Sequence, residues 1–210
     1  YNNLTMKSTF RLKSRKLKMR EIVKVALYVF GRDGFFGASM EEIANKCGIA
    51  KSSIYFYFKD KKELFKEALK LALEKEEKML KRVKRMKACF EDKIKSLIRR
   101  YLRGFVRFKE GMRLLFLYPP QFDPHEFSEI RDMMHKSIEK RENIFGEIIK
   151  EGFKQGKIKD LPLKYCVASF FGMIFSFMRS VYLGEKINVK EGVNVLSDIY
   201  LNGILKRGVR

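Results

Sequence analysis

Proline is missing from the first 118 residues: the four prolines of this 210-residue chain stand at 119, 120, 124 and 162. Proline lacks a backbone N–H and clashes with the preceding helical turn, so its absence leaves long helices open. Apolar residues fill that opening at helical spacing. Ile22, Ala26, Val29 and Phe30 recur at three- and four-residue intervals, as do Leu64, Ala68, Leu71 and Ala72. So do Ile94, Leu97, Ile98, Tyr101, Leu102, Phe105 and Val106, and then Ile144, Phe145, Ile148, Ile149 and Phe153. No Val/Ile/Thr-rich alternation of strand length competes with them. The fold class is all-α.

Breakers divide the chain. Gly34 suits a left-handed cap after the first helix. Ser39 stands three residues before Glu42, the spacing of a capping box, and Gly48 stops the short helix that Ser39 opens. Asp60 can cap a longer helix from Lys61, while YPPQFDP (118–124) and GKIKDLP (156–162) read as loops. Two short helices, about 40–47 and 51–57, joined by a glycine-containing turn, make a helix-turn-helix. Ala44 is the small residue at their crossing, Gly48 the permissive turn residue and Ile54 the apolar anchor. The second helix would present its N-terminal residues to base edges in a major groove.

The run SIYFYF (53–58) needs a split reading. Ile54 and Phe58 lie four apart on one stripe and are expected in the core. Lys51, Ser52, Ser53 and Phe56 fall on the outward arc. Tyr55 and Tyr57 flank the stripe, with hydroxyls available to phosphate, and Phe56 is an apolar ring suited to a thymine methyl.

Charge points the same way. Forty-six Lys+Arg against 25 Asp+Glu give a net charge of +21. That balance fits a polyanionic partner, nucleic acid or an anionic membrane surface, or else a lysine-rich composition with no such meaning. Residues 1–20 carry Lys7, Arg11, Lys13, Arg15, Lys16, Lys18 and Arg20 and no acid, as a phosphate-tracking arm or a solvated terminus would. Residues 78–109 hold 13 Lys/Arg against Glu91 and Asp92, which suits an acidic effector such as an acyl-CoA or simply solvated helix faces.

Other classes find little support. A 46% hydrophobic content is enough for a core and excludes a disordered chain. Cys47, Cys89 and Cys166 are odd in number and far apart, so reduced thiols of a cytoplasmic protein are expected rather than a zinc site or disulfides. The most apolar run, VASFFGMIFSFM (167–178), has 12 residues before Arg179, short of a bilayer, so no membrane partner is expected. His125 and His135 are the only histidines; with Asp132 they offer a lone pair of ligands and no nucleophile–base arrangement. Neither an enzyme, nor a metal site, nor a cofactor is expected.

Residues 20–66, above all ASMEEIANKCGIAKSSIYFYFKDKKELF (38–65), resemble the DNA-binding domain of the TetR family of bacterial transcriptional regulators. The resemblance is carried by Phe30–Phe35 at the end of the first helix, the pair Ile43-Ala44, the run Gly48 to Phe58, and Lys61-Lys62-Glu63-Leu64-Phe65. It implies a basic arm (1–19), a three-helix DNA-binding domain (20–66) and a larger helical effector-binding and dimerisation domain (67–210). Ser39, Lys51, Ser52, Ser53, Tyr55, Phe56, Tyr57 and Lys61 occupy the family's DNA-contact positions. Helices at about 163–183 and 189–206 would pair with their copies in a homodimer, which explains why SFFGMIFSFMRSVYLG (169–184) is apolar nearly all round. An effector pocket would be lined by Phe105, Phe108, Met112, Phe116, Phe122, Phe145, Phe171, Phe175 and Tyr182, with Arg179 as its charged contact. The implied function is a dimeric regulator, a repressor released from a palindromic operator in double-stranded DNA by a small apolar or amphipathic effector. A genome-wide DNA binder of the same fold is the alternative.

Overall fold

The computed structural model describes the backbone of residues 2–116 and 125–206, and their side chains except those of 2–13, 113, 115 and 116. The expected loop at 118–124 and Phe122 therefore lie outside the described residues, as does the Phe116 side chain. Among the described residues there are nine helices and, beyond an isolated bridge between Ile158 and Leu205, no strand. They are α1 (Asn2–Gly37), α2 (Met40–Lys46), α3 (Lys51–Tyr55), α4 (Lys61–Lys84), α5 (Phe90–Arg107), α6 (Lys109–Phe116), α7 (Ser128–Lys154), α8 (Leu163–Tyr182) and α9 (Val189–Ile204). The chain divides into two compact units: Tyr1–Leu73 with Glu110–Tyr118, and Glu74–Lys109 with Pro119–Arg210.

In the first unit α1 is longer than expected. Residues 2–19 are helical backbone continuous with the rest of α1, not an extended arm. Ile22, Ala26, Val29 and Phe30 form its buried stripe, as their spacing requires. The helix breaks at Gly34, whose φ of 74° and ψ of −179° lie in a region open only to glycine. Ser39 then caps α2, its Oγ accepting from the backbone N–H of Glu41 at 3.2 Å and Glu42 at 3.4 Å. The Glu42 carboxylate does not complete a reciprocal box; it accepts from Arg32 at 2.7 Å and so ties α2 to α1. Gly48, at φ 64°, makes the turn to α3.

Helix α3 ends two residues before the expected position. The Tyr57 N–H reaches back only to Ile54 O (3.0 Å), a tightened last turn that carries Phe58 into the core. Ile54 and Phe58 are both buried. Asp60 caps α4 as expected, Oδ1 accepting from Glu63 N–H at 2.7 Å, while Glu63 accepts from Lys59 N–H at 2.5 Å.

The second unit packs α7, α8 and α9 around α5. Its interior is aromatic: Tyr101, Phe105, Phe145, Phe170, Phe171 and Tyr200 meet at centroid distances from 4.2 Å (Phe145–Phe170) to 6.5 Å (Phe145–Tyr200). At Gly192 a Cβ would stand 3.0 Å from Leu102, so the glycine sets how closely α9 approaches α5. Main-chain bonds from Lys159 N–H to Ile204 O (2.8 Å) and Lys206 N–H to Lys157 O (2.9 Å) fasten the end of α9. Part of the basic block is matched by α7, through ion pairs of Lys84 with Glu147 and Lys93 with Glu151. Helix α8 is 20 residues long, against the 12-residue run, and by length and composition alone could cross a membrane. Only 33% of its most apolar window is buried within the chain.

Candidate nucleic-acid interface

A helix-turn-helix works if its second helix is pinned from behind and bare in front. Ile54 is fully buried, whereas Tyr55 is 48% and Phe56 67% exposed. Lys51 and Ser52 are exposed beside them; Ser53 and Tyr57 are half-buried. The outward arc thus presents a cation, hydroxyls and two rings within one short helix and its following turn. Lys51 pairs with Glu41 at 3.2 Å, an exposed contact that contributes little and leaves the ammonium exchangeable. Ser39 is exposed, but its hydroxyl oxygen is already engaged as the α2 cap.

Lys61 stands differently from expectation. Its Nζ donates to the Phe36 carbonyl at 3.2 Å and lies 5.0 Å over the Phe35 ring. It thereby satisfies an acceptor at the C-terminal end of α1, and burial pushes its pKa down. Its ammonium is committed within the first unit in this form.

Two residues of the basic leader join the site through contacts not foreseen in the sequence. Arg15 donates Nη2 to the Phe56 carbonyl at 3.3 Å, and Lys18 donates to the Cys47 carbonyl at 3.2 Å. Both acceptors are backbone carbonyls at helix C-termini, which carry no mark in a sequence.

Residues 22–68 match the model of the bacterial regulatory proteins of the tetR family. These residues form a TetR-type DNA-binding domain. Over its length the chain is similar to the fatty acid metabolism regulator protein of Bacillus subtilis (strain 168), 26% identical over 199 residues, covering 92% of this chain and 98% of that one. Its fold is that of FadR from Bacillus subtilis, solved in complex with stearoyl-CoA, with a TM-score of 0.71, 20% identity, and 88% and 98% of the two chains covered. The structure of AibR in complex with isovaleryl coenzyme A and operator DNA is similar at TM-score 0.71 and 19% identity, covering 87% and 97%. The TetR-type reading head is a DNA-binding element, so the chain is a DNA-binding regulator.

The described residues expected to line an effector pocket stand in different surroundings. Phe105, Phe145 and Phe171 are buried in the second unit, but Phe108 is 65% exposed and Met112 belongs to the first unit. Phe175, Arg179 and Tyr182 lie on the exposed side of α8. The charge inside the aromatic interior is instead Arg141 of α7, its guanidinium 4.5 Å over the Phe171 ring. Its partner is Glu76 of α4, at 3.8 Å, and Glu76 Oε1 also accepts from the Tyr101 hydroxyl at 2.7 Å. Burial raises the Glu76 carboxyl's pKa against the pull of Arg141 and Tyr101. Three helices, α4, α5 and α7, thus share one buried polar knot. Among the described residues no group of three or more His, Cys, Asp or Glu side chains converges as a metal site would need.

Proposed function

We propose that this chain is a TetR-family regulator, a cytoplasmic homodimer that represses from a palindromic operator and is released by a long-chain acyl-CoA. It carries out no catalysis of its own. The observation that carries this reading is the pairing of a bare reading arc with an aromatic, arginine-containing interior in the second unit. The likeness to a stearoyl-CoA complex and to an isovaleryl-CoA and operator complex supports the ligand class.

Dimerisation uses α8 and α9. Tyr165, Phe175, Tyr182, Val195 and Ile199 are each at least 42% exposed on these two helices, a cost that burial against a second copy offsets. Phe175, Arg179 and Tyr182 then belong to the subunit contact, and Phe105, Phe145, Phe171 and Arg141 to the effector. Two reading heads, related by symmetry, meet half-sites about one helical turn, roughly 34 Å, apart. Ser39, Lys51, Ser52, Ser53, Tyr55, Phe56 and Tyr57 make the contacts, with the two tyrosine hydroxyls on phosphates and Phe56 on a base.

Helix α4 gives Lys61–Leu73 to the first unit and Glu74–Lys84 to the second. An acyl-CoA that takes over Arg141 weakens the hold on Glu76 and so acts on this helix. By linkage, whatever the ligand takes from DNA affinity the DNA takes from ligand affinity, typically about 5–150-fold. Titrating stearoyl-CoA into the protein bound to the duplex upstream of its own gene should weaken binding within that range, while free coenzyme A should not. A change under about twofold for every acyl length would remove acyl-CoA as the effector.

A further inference from the structure

Arg15 and Lys18 lie three residues apart on α1, hence on one helix face. Each reaches the C-terminal end of a different reading-head helix: Lys18 the Cys47 carbonyl after α2, Arg15 the Phe56 carbonyl after α3. Helix C-termini present unpaired acceptors and the negative end of the dipole, so a cation suits both. One face of α1 therefore holds the helix-turn-helix by its two ends.

Arg15 does more than cap. Its guanidinium carbon sits 4.8 Å above the Phe56 ring, while Tyr57 meets the same ring edge-on at a centroid distance of 5.4 Å and an angle of 89°. Phe56 is otherwise among the most exposed aromatic rings described, at 67%. A ring with so little packing would sample several rotamers; a planar cation on its face and a second ring at its edge select one. That selection matters because an apolar ring reads a base only through short-range contact with a thymine methyl.

We propose that Arg15 is a positioning residue for sequence readout: it orients Phe56 so that the ring meets a thymine methyl at one position of each half-site. Operator discrimination at that position then depends on a residue outside the helix-turn-helix. The assignment rests on Phe56 being a base contact, and the test separates the two.

Binding duplexes would be selected from a random pool with the full chain. Affinities would then be measured by fluorescence anisotropy for duplexes in which each half-site thymine is replaced in turn by deoxyuridine, which lacks only the methyl. The proteins are wild type, Phe56→Ala, Arg15→Ala and Arg15→Lys, each checked by circular dichroism. Wild type should lose about fivefold at one position, the low end for a single altered base pair. Phe56→Ala and Arg15→Ala should each abolish that loss, leaving discrimination elsewhere intact, and Arg15→Lys, which lacks the planar stack, should reduce it. If Phe56→Ala discriminates as wild type does, the base contact itself is wrong and the proposal falls with it. If Phe56→Ala loses the effect but Arg15→Ala keeps it, only the positioning role is overturned. Uniform weakening of all duplexes by Arg15→Ala, with a salt slope lower by about 1, marks a phosphate contact and also overturns it.

Discussion

Replacing Arg141 by methionine should lower the unfolding free energy by about 3–5 kcal/mol, the usual cost of removing one partner of a buried ion pair. Glu76 would keep only the Tyr101 hydroxyl, at 2.7 Å, in an interior of phenylalanine rings. Arg141→Met combined with Glu76→Gln should recover most of the loss, because no charge is then stranded. The pH dependence gives a further signature. Burial already raises the Glu76 carboxyl above its ordinary range, and removing Arg141 takes away its main electrostatic restraint. A carboxyl whose pKa is higher in the folded than in the unfolded state costs stability as pH rises from the unfolded value through the folded one. The Arg141→Met deficit should therefore be smallest in acid and grow with pH above the ordinary carboxylate range. Denaturant titration of the three proteins at several pH values measures all of this. A loss under about 1 kcal/mol, unchanged in the double variant, would mean that the knot carries little energy.

Gly31→Ala should cost about 3 kcal/mol, the upper end of typical overpacking. A Cβ there would lie 2.0 Å from the Glu110 carbonyl oxygen and 2.3 Å from its carbon. These are backbone atoms at the start of α6, so no side-chain rotation relieves the clash; helix α1 or α6 must move. Gly111→Ala in the same α6 is the control. Its Cβ would meet only Leu27, at 3.7 Å, and the helix should gain up to about 1 kcal/mol from the better helix former. Thermal melts of both variants decide the point. Equal stability of the two would show that α1 and α6 do not approach as described.

Local chemistry made the reading head legible. Ser39 as a cap, Gly48 in the turn, and Ile54 and Phe58 as buried anchors all follow from residue types at fixed short spacings, and the structure places them so. What escaped were contacts to groups that every residue possesses. Arg15 meets a carbonyl 41 residues away, and Lys18 one 29 residues away. The Glu76–Tyr101–Arg141 knot escaped for a different reason: it joins three helices over long sequence separations. It did leave one trace, since Glu76 falls on the same stripe as the buried Ala72, Leu73 and Leu80 of α4. A charge on an apolar stripe asks for a buried partner. Within the expected effector set Phe108, Phe175 and Tyr182 are exposed, because aromatic content does not tell an inward face from an outward one.

Sequence-specific DNA binding through the exposed arc of α3 and the turn after it is open to direct measurement. We would measure anisotropy with the upstream duplex and a scrambled one at two salt concentrations, for wild type and Tyr57→Ala. At the higher salt the native duplex should bind wild type at least about a hundredfold tighter than the scrambled one, near the low end for specific binders, and Tyr57→Ala should lose that preference. Equal binding of both duplexes, collapsing with salt and indifferent to Tyr57, would mean that the +21 net charge and not the arc holds the DNA.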